Sequence, residues 1–397
     1  MQLSVALEHR FARTPDGTVW TESFFPRSFW NRYLGEFDSV RLIARVRDVA
    51  APGDGWKRVD GSGVTVAPIP YYVGPLEYVR RRREVIRATR ASLPRESAVI
   101  LRVSSQIANC LEAVLWRTGH PYGVEVVADP YGIFAPGAIR HPLRRVMRWW
   151  FPMRLRRQCR KACAASYVTR EALQSMYPPD AQAFHTNYSS VELGPEWFEG
   201  NAREPRTSGP FRVAFVGTLE TYYKALDVVL QALDRCKARG LDFRLTVVGD
   251  GRRRPDFEAL ASSLGLDERV QFAGLVPGGA AVREFLDEAD LLVAPSRQEG
   301  LPRAMIEAMA RGLPCIGSSV GGIPELLPPD CLVAVDDAEA LALKICEFAG
   351  SPARLAAMSR RNVSVASEYR EEILNRRRQQ FCCHLREATG DWLKRNA

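Results

Sequence analysis

No run of the 397 residues approaches the ~20 consecutive apolar positions that cross a bilayer, and the opening Met1–Gly17 lacks the basic start and apolar core of a signal peptide. The expectation is a cytoplasmic protein, able at most to lie peripherally on the inner face of the cytoplasmic membrane. Paired cysteines are also missing. The nine (Cys110, Cys159, Cys163, Cys236, Cys315, Cys331, Cys346, Cys382, Cys383) are scattered without a C-x-x-C, which reads as reduced thiols rather than a disulfide framework or a zinc site. "DEAD" occurs at Asp287–Asp290, but no G-x-x-x-x-G-K-[ST] phosphate loop accompanies it. Asp287 and Glu288 therefore read as a solvated helix end and Asp290 as a strand start. There is no D-x-D either, so nothing visible calls for a metal, and no cofactor is expected. Internal repeats and low-complexity tracts are absent.

What is present is a folded composition, with 46% hydrophobic and 25% charged residues, in a chain long enough for two or three domains. The formal charge of +9 favours an anionic partner. That excess is local. Between Asp129 and Glu171 there is no acid, while Arg140, Arg144, Arg145, Arg148, Arg154, Arg156, Arg157, Arg160, Lys161 and Arg170 are basic. Leu143, Val146, Met147 and Trp150 fall on one helical face, and Pro152 is expected to break the run. A basic amphipathic helix with tryptophan over 140–161 suits an anionic membrane surface. The alternative is that its apolar face packs inside the first domain and the arginines are simply solvated. No nucleic-acid-binding module accompanies the charge, so nucleic acid is not expected as a partner.

From Phe211 onward, short β-rich runs alternate with amphipathic segments: "FRVAFVG", "FRLTVVGDG", "RVQFAG", "DLLVAPS" and "PCIGSS" as strands, "KALDVVLQALDRCKARG", "PDFEALASSLG", "AAVREFLDEA" and "PRAMIEAMARG" as helices. This is the pattern of βαβ units in a doubly wound parallel sheet. The first half repeats it more weakly, with strands at "VRLIARV", "VTVAPIP", "SAVILRVSS", "GVEVVADP" and "ASYVT". The expected organisation is an α/β domain over 1–194, a Gly/Pro-rich linker over 195–210, a second α/β domain over 211–370, and a helix over 371–397 that packs back onto the first domain. Ligands of such sheets bind beyond the carboxyl ends of the strands. The turns after "FVG", "VGDG", "FAG" and "APSRQEGLP" should converge there.

The last of these turns places Glu299 in a loop and Glu307 inside the helix that Pro302 begins. The N–H groups of Gly300, Leu301 and the first helical turn would then face the crevice unpaired, which suits an anion or sugar hydroxyls. Gly300 would let a ligand approach the backbone closely.

The segment Glu299–Glu307 resembles the E-x7-E motif of the retaining glycosyltransferases of family 4, which have the GT-B fold of two facing Rossmann-like domains. The likeness extends in order and spacing from Phe211 to about Leu332. It implies that the first domain faces the acceptor and the second binds a nucleotide sugar. Glu299 would hold hydroxyls of the donor sugar with the N–H groups at Gly300, Leu301 and Arg303, following Pro302. Glu307 would hold the ribose, and Lys224 the diphosphate, with Gly217 giving the phosphates room. Leu275 and Val276 would meet the base. Thr218 stands where the family often has arginine, with Arg303 and Arg252 as substitutes, and Ala128 stands where the histidine of an H-D pair would precede the acceptor-side Asp129. The reaction implied is transfer of a sugar to a hydroxyl of a glycan, lipid-linked, in bacterial surface polysaccharide or lipopolysaccharide synthesis. Transfer to a small soluble acceptor such as an aminocyclitol, and non-catalytic binding of a nucleotide sugar, are the alternatives.

Overall fold

The computed structural model describes residues 1–22, 24–134, 142–198, 203–206 and 208–397. Arg140, within the basic run, and residues 199–202 and 207 of the linker stretch lie outside the described residues. Two sheets organise the chain. The first holds β1 (Gln2–Arg13), β2 (Val19–Thr21), β3 (Ser39–Asp48), β4 (Lys57–Arg58), β5 (Val64–Pro70), β6 (Ala98–Val103), β7 (Gly123–Val126), β8 (Ala164–Tyr167) and β9 (Phe184–Asn187). Its parallel body runs β5-β3-β1-β6-β7-β8-β9, and β2 and β4 add a short antiparallel flap at the end of β1. The second is wholly parallel, in the order β12-β11-β10-β13-β14-β15: β10 (Phe211–Val216), β11 (Phe243–Val248), β12 (Val270–Gly274), β13 (Leu291–Ala294), β14 (Cys315–Ser318) and β15 (Leu332–Val333).

Both sheets run outward from a central strand in two directions, so each has one point where the winding reverses: between β1 and β6, and between β10 and β13. At such a switch point the loops leave on opposite sides and open a crevice. The strands are near-continuous apolar runs because helices cover both faces. Leu3, Val5, Ile100 and Val124 in the first sheet, and Val213, Phe215, Val247 and Leu292 in the second, are buried.

The helix Gln106–Thr118 shows how local signals set the boundaries. Ser105 Oγ accepts the Ala108 N–H at 3.1 Å, and Gly119, at φ 62°, ends the helix in the left-handed region. The long last helix, Glu371–Asn396, lies along β9 and β8 of the first sheet. Its Phe381 fills the space beside Gly123, so closely that a Cβ there would lie 2.6 Å from the ring.

Three expectations change. The helix Arg144–Lys161 continues through Pro152. A proline forfeits one hydrogen bond and crowds the preceding turn, but Pro152, Leu155, Gln158 and Cys159 are buried together, and that packing holds the helix across it. Its exposed apolar side chains are Val146, Trp149 and Met153 with Leu143, rather than the Met147 and Trp150 chosen by periodicity. Asp287 is not a merely solvated helix end, since it pairs with Arg203 at 2.9 Å and Arg311 at 2.7 Å.

Candidate functional site

The two crevices are not equivalent. In the first domain, Glu8 of β1 reaches across the switch point to the start of the helix that follows β6. Its Oε2 accepts from Gln106 N at 2.8 Å, Ile107 N at 3.1 Å and Ser105 Oγ at 3.1 Å, while Tyr72 OH at 2.6 Å and Arg45 at 3.3 Å meet Oε1. A helix N-terminus that could bind an external anion is already filled by the protein's own carboxylate.

Among the described residues, no carboxylate plugs the helix start at 300–303 of the second domain's crevice. The loops after β10 and β13 bring Lys224 and Glu299 together as an ion pair, and Ser296 Oγ donates to the same Glu299 oxygen at 3.0 Å. Both side chains are largely buried, at 18% and 9% exposed. Burial disfavours the Lys224 ammonium, but the attraction of Glu299 and then Tyr223 outweighs it, and the net shift of its pKa is upward. Lys224 is thus held charged in a low-dielectric crevice, the condition under which a cation acts most strongly on a phosphate.

Arg297 braces this pair. Its guanidinium bonds Asp227 at 2.9 and 2.7 Å and Asp336 at 2.6 Å, and also reaches the Tyr222 carbonyl at 2.5 Å. Its own N–H donates to Tyr223 O at 2.7 Å. The short turn Tyr222–Lys224 is thereby pinned to the loop that carries Glu299. Neither Arg297 nor Ser296 was singled out from the sequence; only their place inside "SRQEG" hinted at a role.

The helix Arg303–Ala310 begins beside them, with Pro302 as its N-cap residue. Among the described residues, the backbone N–H groups of Gly300, Leu301 and Arg303 have no acceptor. Glu307, one turn further on, is half-buried, and its carboxylate takes no hydrogen bond or ion pair among the described residues. Burial pushes its pKa up, opposed by Arg303. A desolvated carboxylate with its oxygens free is suited to accept from a diol. Leu275 is 82% exposed just after β12, and Val276 is half-buried beside it.

Two glycines work differently from expectation. Beside Gly217 runs the stem of Lys224, whose Cγ would lie 3.2 Å from a Cβ there, so this glycine makes room for the lysine. Beside Gly300 sits the Val127 carbonyl of the first domain, 2.4 Å from where a Cβ would be. The absence of a Cβ at Gly300 lets the two domains touch there. Thr218 Oγ1 accepts from Glu220 N at 3.3 Å and Arg252 Nε donates to Glu220 O at 2.9 Å at the surface, which turns Arg252 to the loop after β10. Arg303 lies 5.1 Å over the ring of Phe24, a first-domain residue.

On the first-domain side, Asp129 caps the turn Pro130–Ile133. Its carboxylate accepts from Tyr131 N and Gly132 N, both at 2.9 Å, and from Tyr177 OH. Three donors already engage the group expected to face the acceptor, which gives it a structural task at the rim. Glu325 of the second domain accepts backbone N–H bonds from Arg170 at 2.6 Å, Glu171 at 3.1 Å and Ala172 at 2.7 Å. Sequence reasoning missed this contact between the domains, and no local signal marks it.

Known proteins resemble this chain in sequence and in fold. Residues 210–350 match the family described as glycosyl transferases group 1, so this segment is a glycosyl transferases group 1 domain. Protein CapJ of Staphylococcus aureus is 26% identical over 301 residues, covering 75% of this chain and 74% of that protein. The 2-deoxystreptamine glucosyltransferase of Streptomyces kanamyceticus is 26% identical over 326 residues, 70% of this chain and 83% of that one. The amylovoran biosynthesis glycosyltransferase AmsK of Erwinia amylovora is 33% identical, but over 165 residues, 39% of this chain and 40% of its own length. Among solved structures, sucrose-phosphate synthase from Thermosynechococcus elongatus superposes with a TM-score of 0.71 at 17% identity, covering 98% of this chain and 100% of that one. The Anabaena protein HepE, solved with UDP and glucose, gives 0.62 at 15% identity and 99% coverage of both chains. The fold is that of the GT-B glycosyltransferases.

Proposed function

We propose that this protein is a retaining glycosyltransferase of family 4 that moves a sugar from a nucleotide-sugar donor to a hydroxyl of a glycan. The observation that carries the reading is the Lys224–Glu299 pair, set between the switch-point strands and against an unsatisfied helix start, with the partnerless Glu307 one E-x7-E interval away. Lys224 would neutralise the donor diphosphate, Glu299 and the N–H groups of Gly300, Leu301 and Arg303 would hold the sugar hydroxyls, and Glu307 would hold the ribose. The base would lie against Leu275 and Val276. In transfer with retention, the acceptor hydroxyl approaches on the face from which the diphosphate departs, and the departing phosphate takes the proton. The enzyme's part is to align the two and stabilise the charge that builds on the phosphate. Lys224 and the helix start supply that charge without a metal.

The relatives named for colanic acid and amylovoran biosynthesis favour a bacterial surface glycan as the product, and a lipid-linked acceptor met on the cytoplasmic side of the membrane fits the basic first domain. The long alignment with an aminocyclitol glucosyltransferase favours, as a second reading, a small soluble acceptor. The test begins with the donor. Saturation-transfer NMR against UDP-, GDP-, ADP- and TDP-sugars should show one that binds, weakened by both Lys224→Ala and Glu307→Ala. Absence of binding, or indifference to both substitutions, would overturn this assignment of the donor site; binding without turnover would return the non-catalytic alternative. The anomeric configuration of the product then reports retention or inversion.

A further inference from the structure

The helix Arg144–Lys161 packs its inner side on the helix Gln106–Thr118, where Arg154 meets Glu112 at 2.7 Å and Gln158 meets Asn109 at 2.9 Å. Its outer side is left to solvent. At 100° per residue, Val146, Trp149 and Met153 fall in one stripe, and they are 59%, 64% and 43% exposed. Arg145, Arg156, Arg157 and Arg160 border the same stripe and are exposed as well. Among the described residues, none of Arg144, Arg145, Arg148, Arg156, Arg157, Arg160 and Lys161 forms an ion pair with an acid. Surface arginines elsewhere commonly do, as Arg13 with Asp48 and Arg269 with Asp242. The exposed tryptophan, methionine and valine are costly to leave in water, and with their unneutralised basic border they are complementary to a surface that is anionic outside and apolar beneath.

The stripe also has a direction. Arg148 lies 3.8 Å over the ring of Tyr131, which is 51% exposed on the turn that Asp129 caps. The next residue of that turn, Gly132, touches Gln298 of the second domain, the neighbour of Glu299. The exposed face therefore starts at the rim of the interdomain crevice and runs away from it for roughly 27 Å, the length of an 18-residue helix.

We propose that this helix face is a docking surface for an anionic lipid bilayer, with Val146, Trp149 and Met153 entering the headgroup boundary and the four arginines meeting lipid phosphates. A bilayer bound there lies along the acceptor side of the crevice, so a lipid-carried acceptor can reach it without leaving the membrane. That consequence rests on the proposed glycosyl transfer; the binding itself does not. Nucleic acid and other polyanions match the charge but offer nothing for the apolar stripe.

Flotation of the full chain separates these outcomes. The protein should float with equimolar phosphatidylcholine–phosphatidylglycerol vesicles and stay behind with phosphatidylcholine alone. Arg145→Gln and Arg160→Gln should each lower the partition coefficient about fivefold at low salt. Trp149→Ser combined with Met153→Ser should abolish the fraction that remains bound at high salt. Unchanged donor saturation-transfer in these variants reports that they are folded and keeps loss of vesicle binding distinct from loss of the transferase site. Equal flotation with both lipids, or wild-type flotation of the variants, overturns the proposal. So does binding to a DNA duplex or self-association in sedimentation without vesicle binding.

Discussion

Arg297 grips Asp227 through two nearly parallel hydrogen bonds of 2.9 and 2.7 Å, tying the loop after β13 to the first turn of the helix after β10. Neither residue is expected to touch a ligand, yet Lys224 and Glu299 are held apart or together by what these two do. Both side chains are mostly buried, at 13% and 21% exposed. Arg297→Ala leaves Asp227 without its partner and should cost about 3 kcal/mol of stability. It should also weaken the nucleotide sugar more than it weakens the fold, because the turn carrying Lys224 is freed. Arg297→Lys should restore little, since an ammonium cannot make the paired bonds. Urea unfolding and donor titration measure the two effects, and an unchanged donor affinity in the alanine variant would remove Arg297 from the site.

Two of the contacts between the domains lie beside the donor crevice, and these two should behave as a clasp. Glu325 accepts three N–H bonds from the first domain, and Gly300 abuts the Val127 carbonyl. Glu325→Ala should open the ligand-free protein, seen as a larger radius of gyration in small-angle scattering. It should raise the KM for donor, because binding must then supply the closure. Gly300→Ala should do the same by steric push, since the atom it meets is backbone and cannot swing away. Scattering curves identical to wild type for both variants would sink the clasp.

How much of this was legible in the sequence follows from where information is local. The second sheet was readable because β10, β11 and β13 are short apolar runs that end in turns, and the site loop because its Gly-Leu-Pro sits between two glutamates at motif spacing. β1, the central strand of the first sheet, escaped. Its alternation breaks at Glu8, His9 and Arg10, where the pairing with β3 shifts register between Ala6 and Arg10. Those polar residues are there for tertiary reasons: Glu8 plugs the crevice, and His9 packs on Phe11 and Phe25, with burial and then Arg45 and Arg10 pushing its pKa down to about 4. The roles of Arg297 and Glu325 depend on partners 39 or more residues away, which no local pattern records.

Glu307 predicts a conflict between stability and binding. Its pKa is raised by burial, so the folded protein favours its protonated form more than the unfolded chain does. By linkage, its contribution to stability is fully present below the ordinary glutamate value of 4.5 and is lost as pH rises through the raised value. At neutral pH the ionised, partnerless carboxylate is therefore a burden that only a ligand relieves. Glu307→Gln should raise the melting temperature of the ligand-free protein at neutral pH, leave it unchanged in acid, and weaken the donor. In the wild type, donor affinity should fall on acidification with a midpoint above 4.5. A glutamine variant no more stable than wild type at neutral pH would mean that the carboxylate is already satisfied.

The plug at the first switch point gives the last prediction. Glu8 supplies the negative charge that the N-terminus of the helix Gln106–Thr118 and the 9%-exposed Arg45 both need. Glu8→Ala strands that charge and two backbone N–H groups, and should cost about 3 kcal/mol or more. The vacated crevice then has what an anion site requires: helix N–H groups, Ser105 Oγ and a guanidinium. Sulfate should accordingly raise the melting temperature of Glu8→Ala well beyond its effect on wild type, where it acts only as a general stabilising salt. Equal shifts in the two proteins would mean that Glu8 is an ordinary ion-pair partner and that the first crevice was never a phosphate cradle in disguise. A larger shift in the variant would show that one fold, used twice in this chain, is kept from binding two anions by a single side chain.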